Sequence, residues 1–467
     1  MKNKLIIKIL CLMLTLCFTV NTVSGNLLIK NTDNLFSDYL ESDSVYSSYE
    51  SIIESLNDII YPLNSSALEL SDEDLHVLSY LDDSKIVGLG EATHGTKEFF
   101  QMKHRIFKFL VENYEFKIFA FECDMGESYY IDNFVTNGEG DIDSVMDKML
   151  FWTWHTKEVK DLLVWMKEYN ENRSEQNKIH FIGVDCQFMK YQAEIIMNYF
   201  NKTNLELSNF SIQFLNEIDL IGHDTYNYYL EGNVNLSKKL EIDYNVDQLI
   251  DEIQNLKHEL INASSDFEYY FIEQLSLNIK QVNDVLFGFV HGDSYNYRDL
   301  YMANNTLWSS DLFGENTKVV LWAHNGHVSN LEEYGSIGFH LKQELQERYQ
   351  IVGFSFSLGS FMAIRMSLIK LIPSVLLNFR IWRTKYGSIN YVFHQARYDN
   401  FILRAEDIEE QSDFDKFISN THQFLQIGAG FNRFLYIIGV YFFPIKLMDE
   451  FDVIIHWDRT KAAEQLY

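Results

Sequence analysis

Ile86-Val87-Gly88-Leu89-Gly90-Glu91-Ala92-Thr93-His94-Gly95-Thr96-Lys97-Glu98-Phe99 is the stretch from which the rest of the chain is read. Four apolar or small residues, Ile86 to Leu89, make a short run suited to a buried strand. Helical spacing starts a few residues later: Phe99, Met102, Ile106, Phe109 and Leu110 recur on one face between Lys97 and Asn113. Between strand and helix stands a turn holding Gly88, Gly90 and Gly95, where the missing Cβ permits tight turning and close approach to the backbone. Within that turn Glu91 and His94 are three residues apart and meet if a helical turn forms. A carboxylate beside an imidazole fixes its tautomer, so His94 is the candidate base.

The same strand-then-helix rhythm extends in both directions. Lys117 to Phe121, Ile179 to Val184, Lys318 to Ala323, Ile351 to Phe356 and Val453 to Trp457 are further buried-strand runs. Helical patterns at Val159 to Tyr169 and Gln187 to Phe200 separate some of them. Alternation of this kind predicts an α/β fold with a mainly parallel sheet and flanking helices. Residues 203–315 offer only long helical patterns, at Asn204 to Ile221, Asn245 to Asn262 and Asp266 to Phe287, which predicts a helical insertion or cap between the third and fourth strands. Residues 26–467 are expected to form a single domain around it. Residues 360–450 have no clear period. Met362 to Trp382 is apolar, but Arg365, Lys370, Pro373 and Arg380 interrupt it, against a membrane span.

Titratable residues recur where these strands end. Glu91 and His94 follow the first strand, Glu122 and Asp124 end the second, Asp185 ends the third, and His324 and His327 follow the fourth. Parallel α/β folds gather their active sites at that rim. Each residue also has a structural reading: Glu91 as a helix cap, His94 as a hydrogen-bonded core histidine, Arg298 as the surface partner of Asp299 or Asp293. Glu122 follows so apolar a run that it is expected to be buried with a partner, His94 or His327. The aromatic run Phe151-Trp152-Thr153-Trp154-His155 reads as helix packing.

Other chemistries are missing their motifs. Gly353-Phe354-Ser355-Phe356-Ser357 ends in Ser where a nucleophile elbow requires Gly, so Ser355 and Ser357 read as strand residues. Phosphate-cradling glycine loops do not occur. His324-Asn325-Gly326-His327 could bind a metal, but Gly326 weakens a helix there and no Glu intervenes as in a zincin. Two other classes stay open: a metal-dependent hydrolase using Glu91, His94, Glu122, His324 and His327, and a non-catalytic exported binding protein.

Composition sets the outer limits. Of 467 residues 47% are hydrophobic, enough for a large core, and three prolines leave no room for Pro-rich linkers. Lys2, Lys4 and Lys8 precede an apolar run from Ile9 to Val20, and Val23-Ser24-Gly25 follows, so residues 1–25 read as a signal peptide, with an uncleaved anchor as the alternative. The expected location is secreted or periplasmic, with no stable membrane insertion after cleavage. Removing those three lysines takes the net charge from −29 to about −32, which disfavours nucleic acid as a partner. Cys123 and Cys186 remain; export permits a disulfide between them, and two small buried thiols fit the sequence equally.

Taken together, Gly88-Leu-Gly-Glu91-Ala-Thr-His94-Gly-Thr-Lys-Glu98, Phe121-Glu122-Cys-Asp124, Arg298-Asp-Leu-Tyr-Met-Ala-Asn-Asn305 and Trp322-Ala-His324-Asn-Gly-His327 resemble the erythromycin esterase family in order and separation. The resemblance spans roughly residues 75–465. It implies a metal-independent hydrolase without cofactor, opening a macrolide lactone or a related small-molecule ester with water activated by a histidine. By position it makes His94 the base and Glu91 its orienter, with Glu122, His324 and His327 in the same site. Arg298, Lys103 and Asp185 fall on the substrate-binding side, Arg298 holding the carbonyl or its oxyanion. Some members of the family destroy macrolide antibiotics, which makes drug resistance one expected role.

Overall fold

Ile86–Leu89 (β1) is buried at all four residues, as a strand covered on both faces must be. It belongs to a computed structural model that describes residues 46–68, 72–293, 296–367 and 374–466. The segment read as a signal peptide lies outside the described residues. The remaining strands of four or more residues are β2 (Phe116–Asp124), β3 (His180–Asp185), β4 (Lys318–Trp322), β5 (Tyr349–Arg365), β6 (Leu376–Ile381), β7 (Asn400–Arg404), β8 (His422–Leu425), β9 (Phe442–Ile445) and β10 (Val453–Thr460). The chain divides into two units. Among the described residues, one takes those up to Glu115, Thr156–Val159 and those from Trp322 onward; the other takes those of Phe116–His155 and Lys160–Leu321.

In the first unit β5 is the organising strand. It pairs in parallel with β1 and with β10, and antiparallel with β6; β10 in turn carries β7 antiparallel on its far side. A separate antiparallel pair joins β8 and β9. The sequence reading captured the first six residues of β5's apolar core and missed its continuation to Arg365. It also missed β6, whose pattern is broken by Asn378 and Arg380, and β7, whose apolar run is only Phe401 to Leu403. Helix α1 (Lys97–Tyr114) follows the β1 turn and buries Phe99, Phe100, Met102, Ile106, Phe107, Phe109 and Leu110. Each such side chain contributes roughly 1.5–3 kcal/mol. Burial reaches beyond the expected stripe: Lys103, His104 and Arg105 are also enclosed. Enclosed cations need partners. Arg105 finds Asp72, Asp74 and the Ser65 carbonyl, the last at 2.9 Å, while burial lowers His104 to about 3 and keeps it neutral.

Ser355 and Ser357 are strand residues, as expected, and serve the core. Their hydroxyls contact His456 Nδ1 at 2.9 Å and Nε2 at 3.2 Å. Phe393 and Phe401 flank the ring. Burial, with a smaller push from His394, lowers His456 to about 3. Its unfolded value stays near 6.5, so the neutral ring favours the folded state above pH 6.5, and that stability drains as pH falls from 6.5 toward 3. The expected slope is about 0.7 kcal/mol per pH unit at 6.5 and approaches about 1.4 a full unit lower. Urea unfolding of wild type and His456→Gln, compared from pH 7.5 to 5, reads it as a change in their difference. A pH-independent difference would contradict the neutral, buried imidazole.

The second unit holds β4, β2 and β3 in that order, with β2 and β3 parallel. Asp124 ends β2 by capping helix α2 (Met125–Asn137). Its carboxylate accepts from Gly126 and Phe188 N–H groups while Glu127 accepts from the Asp124 N–H, a capping box. This strand-end acid is therefore engaged in helix capping. The expected helical segment between the third and fourth strands is present, with the long helix α3 (Asp266–His291) at its centre and α4 (Tyr297–Asp311) leading into β4. Tyr229, Ile242, Val246, Leu249, Leu275 and Ile279 form its own core. The aromatic run before it is a single 3-10 turn, Trp152–Trp154, not an α-helix; Trp154 packs edge-on against Phe121 at 4.5 Å. Cys123 and Cys186 are both buried free thiols.

Candidate active site

The turn after β1 is held from several sides by its own backbone. Gly90 N–H donates to Val352 at 2.8 Å, Glu91 C=O accepts from Asn325 at 2.9 Å, and Gly95 C=O accepts from both Met362 and Ala463. Asn325 adds a side-chain clamp: its amide donates to the Phe354 carbonyl at 2.8 Å and accepts from the Phe354 N–H at 3.1 Å. That clamp explains Gly90, since a Cβ there would collide with Asn325 Oδ1. Gly95 is required for a similar reason, because a Cβ would strike the Met362 backbone.

The Glu91 side chain lies inside this frame, fully buried, and receives three donors. His94 Nδ1 is 2.7 Å from Oε1; Lys103 Nζ and Trp322 Nε1 reach Oε2 at 2.6 and 2.9 Å. Lys103 Nζ also sits 4.3 Å from the Trp322 ring centre. With Lys103 and Trp322 donating to Oε2, the Glu91 carboxylate is the acceptor of the His94 contact as well. Nδ1 of His94 therefore carries the proton and Nε2 the lone pair. His324 is arranged the opposite way. Its Nδ1 accepts from the Gly326 N–H at 3.1 Å, which puts its proton on Nε2, 3.4 Å from the Ile427 carbonyl. The two imidazoles are 4.9 Å apart, tilted by 43°. His327 is half-buried on the short helix Asn325–Val328 that His324 caps.

The other expected site residues lie in the second unit. Arg298, at the start of α4, donates from Nε and Nη2 to both oxygens of Asp185 at 2.9 and 2.7 Å, and from Nη2 to Glu122 at 2.9 Å. Cys186 N–H and Gln187 Nε2 complete the shell of Asp185. The two carboxylates hold the guanidinium firmly protonated in spite of burial. These contacts show how three of the expected residues are held. Asp185 is fully buried and accepts from Arg298, Cys186 and Gln187. Lys103 likewise is 0% exposed and holds Glu91. Arg298 is buried and not on the surface; it forms a bidentate pair with Asp185 and is the partner shown for Glu122.

Two residues with clear positions were not singled out in the sequence: Trp322, which donates to Glu91, and Asn325, the clamp. Both stand inside the quoted Trp322-to-His327 motif, which was the available signal. Among the described residues no group of three His, Cys, Asp or Glu side chains is arranged to hold a metal ion.

The family model described as erythromycin esterase matches residues 111–460. Erythromycin esterase type II of Escherichia coli is 26% identical over 270 residues, covering 53% of this chain and 61% of its own length. The putative hydrolase YbfO of Bacillus subtilis is 26% identical over 286 residues, covering 57% and 61%. The chain thus spans about three-fifths of the length of these curated relatives. Among solved structures, a succinoglycan biosynthesis protein matches with a TM-score of 0.77 at 22% identity, over 91% of this chain and 100% of that one. An erythromycin esterase mutant in its open conformation matches at 0.61 and 15%, over 85% and 96%. At such identities the structures speak for the fold, a mixed α/β architecture with a mainly parallel sheet.

Proposed function

Because the chain belongs to the erythromycin esterase family, we propose that it hydrolyses a carboxylic ester or macrolactone with water activated by His94. The observation that carries this reading is the 2.7 Å contact between Glu91 Oε1 and His94 Nδ1, which leaves the basic lone pair on Nε2. Nε2 takes a proton from water as its oxygen adds to the ester carbonyl. The tetrahedral intermediate then collapses, the C–O bond to the alcohol breaks, and the imidazolium returns its proton to the departing alkoxide. Glu91, held in place by Lys103, stabilises the imidazolium during the interval. His324, with its proton on Nε2, is suited to donate toward developing negative charge. In a lactone the acid and alcohol remain in one molecule, so the product is the opened ring.

The test is a screen of macrolides and simple carboxylic esters by mass spectrometry, scored by a gain of one water. Serine-directed phosphonates are expected to leave the activity intact, because the reaction needs no serine nucleophile. Covalent labelling with loss of turnover would replace this mechanism by an acyl-enzyme route. Binding of these esters without any hydrolysis would favour the non-catalytic reading.

A further inference from the structure

About one residue in seven is acidic in this chain, 67 of 467, yet neither Asp nor Glu occurs between Glu347 and Asp399 or between Asp415 and Asp449. The first of these acid-free stretches builds β5 and β6; the second builds the strand Gly430–Phe431, which also pairs with β5, and the helix Arg433–Ile437. The fold therefore brings two acid-free stretches together on one strand. Tyr436 Oη donates to the Arg383 carbonyl at 2.6 Å, and the Arg433 guanidinium lies 5.1 Å from the Trp382 ring centre, so strand end and helix form one surface. That surface exposes large apolar groups: Trp382 at 61%, Phe434 and Ile437 each at 57%. Phe434 and Ile437 are three apart on the helix and share a face. Arg380, Arg383 and Arg433 are exposed beside them.

We infer that this face docks onto the surface of an anionic lipid bilayer, with Trp382, Phe434 and Ile437 entering the headgroup boundary and the arginines meeting lipid phosphates. Charge complementarity selects the occupant. A protein of net charge −29 is repelled by an anionic membrane everywhere except where acids are missing, and here arginines replace them. Trp and aliphatic side chains mixed with Arg suit the interface between water and hydrocarbon; a nucleic acid or acidic polysaccharide would have no use for an exposed Ile437. The helical segment of the second unit also exposes Leu220, Leu236 and Leu240, but it carries Glu217 and Glu241, so charge does not favour it. The contact is peripheral: among the described residues no helix is long and apolar enough to cross a membrane.

The test follows the fluorescence of Trp382 in the full chain, taken as wild type minus Trp382→Phe, on vesicles whose acyl chains carry bromine. Its quenching is expected on vesicles of equal phosphatidylglycerol and phosphatidylcholine, not on phosphatidylcholine alone, and is expected to fade in about 0.5 M salt as screening shortens the reach of the arginines. The double variant Arg383→Glu, Arg433→Glu retains Trp382 and is expected to need at least about thirtyfold more lipid for the same quenching, on the basis of two lost cations. Circular dichroism confirms that the variants fold. Vesicle capture with Trp382 unquenched would assign the contact to another part of the chain, including its N-terminal apolar run, and overturn the proposal. Equal quenching on neutral and anionic vesicles, or retention on heparin without quenching, would overturn it as well.

Discussion

Replacing His94 by alanine is expected to lower turnover of the ester found by screening by at least about a hundredfold, with KM changed far less. General acid–base catalysis contributes roughly 10²–10⁴-fold, and His94 is the imidazole whose tautomer Glu91 sets with its lone pair on Nε2. The fold should survive. Glu91 keeps two of its three donors, Lys103 and Trp322, so no buried charge is left uncompensated. Steady-state kinetics at saturating substrate, paired with a urea midpoint close to that of wild type, would separate lost chemistry from lost structure. Turnover within a few-fold of wild type would remove His94 from the role of base.

Lys103→Met should do the reverse, damaging stability first. Both partners of the Lys103–Glu91 pair are 0% exposed. Deleting one charge from such a pair typically costs about 3–5 kcal/mol, because the remaining ion is stranded away from water. Met retains much of the aliphatic stem, so the loss reports the missing cation more than a cavity. The measurement is urea unfolding followed by circular dichroism. Adding Glu91→Gln to Lys103→Met should recover much of the loss, since the stranded carboxylate is then gone. A single-variant effect below about 1 kcal/mol would show that the pair is as weak as a surface bridge.

These two residues also mark how far the sequence could be read. Glu91 and His94 are neighbours in the chain, so their meeting needs one local turn and three-residue spacing exposes it. Lys103 reaches Glu91 across twelve residues and a change from turn to helix. No local spacing writes that pairing, and the resemblance had placed Lys103 on the substrate-binding side instead. Arg298 is harder still: its partners Glu122 and Asp185 lie 176 and 113 residues away, and nothing local distinguishes a buried bidentate arginine from an exposed one. The same divide runs through the fold. β1, α1 and the cores of β2, β3, β4 and β10 were legible because burial on both faces or helical period writes itself into consecutive residues. β6 was not, because Asn378 and Arg380 interrupt its apolar positions, and β7 was not, because its buried run is only three residues, Phe401 to Leu403.

The clamps on the β1 turn impose an order of events during synthesis. Gly95, which closes the turn containing the proposed base, is held through its carbonyl by Ala463, and Lys97 N–H donates to Lys461 at 2.9 Å. The segment that carries Glu91 and His94 leaves the ribosome long before those two partners are made. Contacts of such sequence separation form late. A nascent chain not yet extended to Ala463 therefore carries the proposed catalytic pair without this fastening.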